Sequence, residues 1–454
     1  MTDSIAGLPF WEITLDADGD PDGPGRDALI TEVPARGITD LFVFAHGWNN
    51  ERRTARRLYN SFFGLLAAQL RDTPAAPPVV AGLAGVVWPS KRWSDEPIPD
   101  FSPAAAVVTP GAAGLTPVEP APAEAAAATL DKQTLDDLRD TFPAATRSLD
   151  RMAALLETEP TDAALAEFHS CLAEFAAAAP HPQDDGEGTG AADGPRMLED
   201  GPERLFERYR DALRGAGVEL PGDSGGAAGL GDRLKGVWNG AKEALRQATY
   251  WEMKNRAGVV GRDGLGPTLA ALHGAAPGVR VHLIGHSFGA RLVSYALAGL
   301  PDGGPSSPVK SLTLLQGAFS HFAFADPLPF DAGRRGALAG MQRRVDGPIT
   351  VCFSRHDGAV GTFYPLASFA ARSDSAGASD AMYRWGGMGA DGAQNDDVAM
   401  DAIAGVGAAY RFSADRILNV DAAEVVCRGG APTGAHSDIV HPELTWVVLA
   451  ASRA

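Results

Sequence analysis

Short continuous apolar runs alternate along this chain with longer stretches in which apolar residues recur every three or four positions. Asp40 to Ala45 (DLFVFA), Ala84 to Trp88 (AGVVW), Val281 to Ile284, Ser311 to Gln316 (SLTLLQ) and Pro348 to Ser354 (PITVCFS) have the length and composition of strands buried on both faces. Arg416 to Val426 is a further strand candidate, and residues 10 to 34 read as a strand pair, FWEITL and ALITEV, joined by the acidic loop Asp16 to Gly25. Helical periodicity covers residues 51 to 70, 130 to 158, 161 to 179, 197 to 214 and 233 to 256. Strands without polar alternation, separated by helices, predict an α/β fold with a mostly parallel, doubly wound sheet covered on both sides.

The alternation breaks once. From about Asp95 to Asp232 the chain is rich in Ala, Pro, Gly and acids and holds no run suited to a central strand. The expected organisation is therefore a core whose N-terminal part is 1–94 and whose C-terminal part is 233–454, with 95–232 inserted as a helical, partly flexible cap. The Pro/Ala-rich stretch 97–126 and the Gly-rich stretch 221–231 read as its joints. Trp238, Tyr250 and Trp251 fall along one side of the helix that follows and read as packing residues.

Composition narrows the function. Of 454 residues 45% are hydrophobic and 21% charged, enough for a large core, while the formal net charge of −18 argues against nucleic acid or an anionic membrane as partner. No window approaches the ~20 apolar residues of a membrane span, and the first residues carry neither a basic n-region nor an apolar h-region, so a cytoplasmic location without membrane insertion is expected. Cys171, Cys352 and Cys427 are few, odd in number and widely spaced, which fits buried free thiols in a reducing compartment. Asp18, Asp20 and Asp22 copy the first half of a calcium loop, but Leu29 stands where the bidentate glutamate belongs, so a solvated turn is expected.

The chemistry concentrates in Val279 to Leu297, where an apolar run and a helical pattern flank Gly285-His286-Ser287-Phe288-Gly289. In that context G-x-S-x-G is a nucleophile elbow: a serine turned out at a sharp strand-to-helix bend needs strained backbone angles, and a Cβ at either flanking glycine would collide with the turn. A second signal ends the strand DLFVFA, where His46-Gly47-Trp48 precedes a helix rich in arginine. Gly47 lets that loop approach the elbow, so the backbone N–H of Trp48 can face a substrate oxyanion.

Each remaining polar candidate also follows a strand. The order of Ser287, Asp357 and His436, with the His-Gly loop upstream, resembles the α/β-hydrolase superfamily over about residues 36–93 and 255–454. The resemblance implies that Ser287 is the nucleophile, His436 the general base and acid, and Asp357 the group that orients the imidazole. It also implies an oxyanion hole of the Trp48 and Phe288 N–H groups, with His46, Gly47, Gly285, His286 and Gly289 supporting the turns. His441 and His356 are the weighed alternatives to His436, and Asp326 and Asp331 those to Asp357. The expected activity is hydrolysis of a small-molecule carboxylic ester or thioester without cofactor or metal. The rival readings are a peptidase or amidase using the same triad, a silent binding protein on the same fold, and a scaffold that recruits partners through the acidic insertion.

Overall fold

The computed structural model describes residues 3–75, 78–90, 93–96, 98–99, 101–103, 123–124, 128–178, 196–220, 230–302, 307–368, 383–395, 398–414 and 416–454. The strands are β1 (Asp3–Ile5), β2 (Leu8–Thr14), β3 (Asp40–Ala45), β4 (Ala81–Val87), β5 (Ala123–Glu124), β6 (Val218–Glu219), β7 (Arg280–His286), β8 (Val309–Leu315), β9 (Ile349–Phe353), β10 (Ala399–Ala402) and β11 (Ile417–Asp421), and the α-helices as far as the serine turn are α1 (Gly25–Ala35), α2 (Arg52–Asp72), α3 (Lys132–Thr141), α4 (Thr146–Leu155), α5 (Asp162–Ala178), α6 (Pro202–Gly215), α7 (Leu230–Val259), α8 (Gly266–Ala275) and α9 (Phe288–Ala296). Nine of them form one sheet in the order β1-β2-β4-β3-β7-β8-β9-β11-β10, and β5 pairs separately with β6. Every pairing in the large sheet is parallel except that of the edge strand β1 with β2. The class is α/β with a mostly parallel mixed sheet, as the pattern of apolar runs predicts.

The two faces of β3 explain its unbroken apolar sequence. Phe42 and Phe44 point into a cluster with Leu58, Phe62 and Leu66 of the helix Arg52–Asp72 and with Val447 of the helix Pro442–Ser452. Leu41, Val43 and Ala45 point the other way, into the larger cluster with Leu292 and Val293 of α9 (Phe288–Ala296). A period of two with both faces covered leaves no position for a polar side chain. His282 is the exception inside β7. It stacks on Phe42 at 4.8 Å and its ring nitrogens meet Asp40 at 3.0 Å and Ser311 at 2.9 Å, so the buried polar atoms are satisfied.

ALITEV is not a strand but part of the helix Gly25–Ala35, with Leu29 and Val33 buried one turn apart. That i, i+4 spacing lets the segment pack as a helix against Gly266–Ala275, so apolar content alone misassigns it. The loop before it joins a strand to a helix rather than closing a hairpin, and Asp16 Oδ1 accepts the N–H groups of Asp18 and Asp20 at 3.0 and 2.8 Å.

The inserted segment supplies the helices Lys132–Thr141, Thr146–Leu155, Asp162–Ala178 and Pro202–Gly215. Its side chains Leu149, Phe168, Phe206 and Tyr209 belong to the same hydrophobic cluster as Leu283 of β7 and Leu292, and α7 (Leu230–Val259) joins the two regions. The expected boundary at 232/233 therefore falls inside a continuous helix. Most of the joints at 97–126 and 221–231 lie outside the described residues. Cys171 and Cys352 are buried free thiols, whereas Cys427 is exposed, contrary to expectation, because it sits in the loop after β11. Among the described residues no helix is long and apolar enough to cross a membrane.

Candidate active site

Ser287 stands between β7 and α9 with φ 57° and ψ −122°, backbone angles an L-residue seldom takes. Its neighbours show why glycine flanks it. A Cβ on Gly285 would lie 2.4 Å from the Gly289 carbonyl oxygen, and one on Gly289 would lie 2.0 Å from that of Ala45. The elbow is thus wedged against the end of β3. The same strand brings in the next loop: a Cβ on Gly47 would lie 2.7 Å from Ser287 Cβ.

Three side chains from separate loops meet at the serine. His436 Nε2 is 2.8 Å from Ser287 Oγ, and His436 Nδ1 is 2.8 Å from Asp357 Oδ2. The ionised carboxylate can only accept, so Nδ1 carries the proton and Nε2 is left to accept from the hydroxyl. Asp357 is buried and further held by the Val360 N–H, which donates to Oδ1 at 2.9 Å, and by Gln316 Nε2, which donates to Oδ2 at 3.3 Å. Gln316 was not singled out from sequence. Its signal was available, a polar residue ending the apolar run beside the nucleophile's; its backbone takes a φ of 48° and its side chain meets Asp357.

His436 reaches Asp357 because their loops are bound to each other. Asp357 and Gly434 form an antiparallel bridge, the Gly358 N–H donates to the Thr433 carbonyl, and the Ala435 N–H donates to that of His356. Gly434 has φ 58°, and a Cβ there would lie 2.4 Å from the His356 carbonyl oxygen, so only glycine permits the approach. His286 adds a brace from the elbow: its Nε2–H donates to the His436 carbonyl at 2.8 Å. Burial, and then the neighbouring His436, push the His286 imidazole down to about 3, which keeps it neutral.

Burial lowers His46 to about 4; its Nδ1–H donates to the Gly47 carbonyl at 2.8 Å, and its ring stacks on Trp88. Among the described residues neither the Trp48 nor the Phe288 amide N–H meets an acceptor, and Phe288 opens a helix whose dipole favours negative charge there. Asp326 and Asp331 are exposed and make no bond to His436. His441 pairs with Asp438 at 2.7 Å, and His356 lies on the exposed side of its loop. Among the described residues no group of three or more His, Cys, Asp or Glu converges as a metal site.

Ser287 and His436 open onto a cavity of about 590 Å³, lined on one side by Tyr250 and other residues of α7. Tyr250 therefore faces the cavity, 4.3 Å from the Phe288 ring and 5.1 Å from that of Trp48, whereas Trp238 packs on Phe168 of the inserted segment, as expected of a packing residue. Comparison with protein-family models, with curated proteins and with solved structures finds no match to this chain.

Proposed function

We propose that the protein is a serine hydrolase of the α/β-hydrolase type that cleaves a carboxylic ester or thioester through an acyl-enzyme on Ser287. The observation that carries this reading is the unbroken relay from Asp357 through His436 to Ser287, with both bonds at 2.8 Å, at the mouth of a cavity. Ser287 Oγ attacks the acyl carbonyl while His436 Nε2 takes its proton. Asp357 stabilises the imidazolium so formed and, held by Val360 and Gln316, does not swing with it. The Phe288 and Trp48 N–H groups donate to the developing oxyanion. The His436 proton then passes to the departing alkoxide or thiolate. Water, deprotonated in turn by His436, releases the carboxylic acid and restores the serine.

The strained Ser287 backbone and the glycines wedged around it mark a functional site rather than a plain connecting turn, and the base aligned on the hydroxyl favours catalysis over mere binding. The test is labelling by a fluorophosphonate, which requires a hydroxyl activated by a neighbouring base. The wild type is expected to label and Ser287→Ala not to. Equal labelling of the two, or none of the wild type, overturns the proposal.

A further inference from the structure

One side of the cavity is a face of α7. Glu243, Arg246, Gln247 and Tyr250 all line it, and their spacing of three, four and seven residues places them in a row along the helix. Tyr250, against Trp48 and Phe288, marks the end at the nucleophile. At 1.5 Å per residue, Glu243 stands about 10 Å further along the axis.

That far wall is charged and its groups are paired with one another. Arg246 Nη2 lies 2.8 Å from both oxygens of Asp95, and Lys242 Nζ lies 2.7 Å from the same carboxylate. Arg246 also meets Glu243 at 3.3 Å and Glu96 at 3.5 Å, and its guanidinium covers the Trp93 ring at 4.8 Å. Gln247 Nε2 donates to Glu243 Oε1 at 2.7 Å. Glu243, Gln247 and Lys242 are all buried.

A methylene chain laid along this wall would strip water from Glu243 and Arg246 and return no hydrogen bond, so a long acyl or alkyl chain is poorly matched to it. An anionic group is matched no better, because Arg246 is already engaged by Asp95, Glu96 and Glu243, and the approaching charge would meet two of those carboxyls. A group that donates hydrogen bonds suits the Glu243 carboxyl, whose proton affinity burial has raised and which a nearby cation would draw back to the ionised form.

We infer that the cavity takes an ester whose carbonyl seats by Trp48 and Phe288 and whose far end, about 10 Å away along α7, carries a donor nitrogen for Glu243. A protonated amine and an amide N–H share that chemistry. This inference rests on the reading of Ser287 as a hydrolytic nucleophile.

The experiment compares turnover of 4-methylumbelliferyl esters of acetic, octanoic, 8-aminooctanoic and 8-acetamidooctanoic acid, with a matched set of octyl, 8-aminooctyl and 8-acetamidooctyl acetates. In one of the two sets a nitrogen-bearing ester is expected to exceed its plain C8 counterpart at least tenfold in kcat/KM. An advantage for the amine alone identifies a cation, and an advantage for both identifies the N–H. In Glu243→Gln the ratio of amine to plain C8 is expected to fall toward one. The ratio is read within one protein, so loss of folded enzyme does not imitate the result. A plain C8 ester equal to or better than both nitrogen-bearing esters in both sets overturns the inference. If acetates turn over through Ser287 in that case, the hydrolase reading stands; if no ester turns over at all, both fall.

Discussion

Replacing Asp357 by asparagine tests the relay at its least conspicuous member. The carboxylate accepts three hydrogen bonds in the native protein, from His436 Nδ1–H, the Val360 N–H and Gln316 Nε2. Asparagine keeps the shape, and its carbonyl oxygen can still accept from Val360, so the fold should lose no more than about 1–3 kcal/mol, the cost of one buried group left poorly paired. With the carbonyl so placed, its NH2 group faces His436 Nδ1. That forces the proton of the imidazole onto Nε2, where it points at Ser287 and can no longer accept from it. Turnover is expected to fall by about 10³ to 10⁴, the scale known for a triad histidine held in the wrong tautomer. The assay is kcat on a short-chain ester for Asp357→Asn beside Asp326→Asn and Asp331→Asn, each checked for cooperative thermal unfolding. The two exposed aspartates should change kcat by less than about threefold, since neither touches the imidazole. A folded Asp357→Asn with near-native kcat, or a large loss in either control, refutes the reasoning.

Stability should respond to pH through His46 and His286, whose folded values of about 4 and about 3 lie below the ordinary imidazole range. The unfolded chain binds more protons between those values and ~6.5, so the stability from burying neutral rings is complete above ~6.5 and is lost as pH falls toward 4. At about 1.4 kcal/mol per unit the loss is on the order of 3 kcal/mol for His46 alone, and a Tm that stays flat from pH 7 to 4.5 would contradict it. His286→Phe removes the donor to the His436 carbonyl and should lower kcat roughly tenfold, with slower fluorophosphonate labelling; unchanged labelling kinetics would remove the brace from the mechanism. Gly434→Ala must adopt a left-handed φ and meets the His356 carbonyl, so a loss of at least ~2 kcal/mol in chemical denaturation is expected, together with weaker catalysis. Native stability in that variant would show that the two loops do not depend on their close approach.

Much of the molecule was legible in the chain because its causes are local. The runs at β3, β4, β7, β8 and β9 are predominantly apolar on both faces, with His282, Ser311, Thr313 and Thr350 as buried polar exceptions, and strands covered on both faces favour that pattern. The serine turn was legible for the same reason: the glycines at 285 and 289 answer a clash within five residues and against the adjacent strand. ALITEV was misassigned where the local signal is weakest, since six residues of mixed polarity fit either period until a packing partner is known. What brings Asp357 and His436 together is of another kind. They lie 79 residues apart, and their contact depends on the Asp357–Gly434 bridge, on the brace from His286 and on Gln316 from a neighbouring strand. The charged wall of α7 is equally non-local, because Glu243 and Arg246 acquire a role only when the helix is laid across the cavity and Asp95 arrives from the loop after β4 to hold them. Single residues and their neighbours in the chain state which groups can react. Which of them meet, and what they face, is decided by side chains from distant segments sharing one desolvated space, and no periodicity along the chain encodes that.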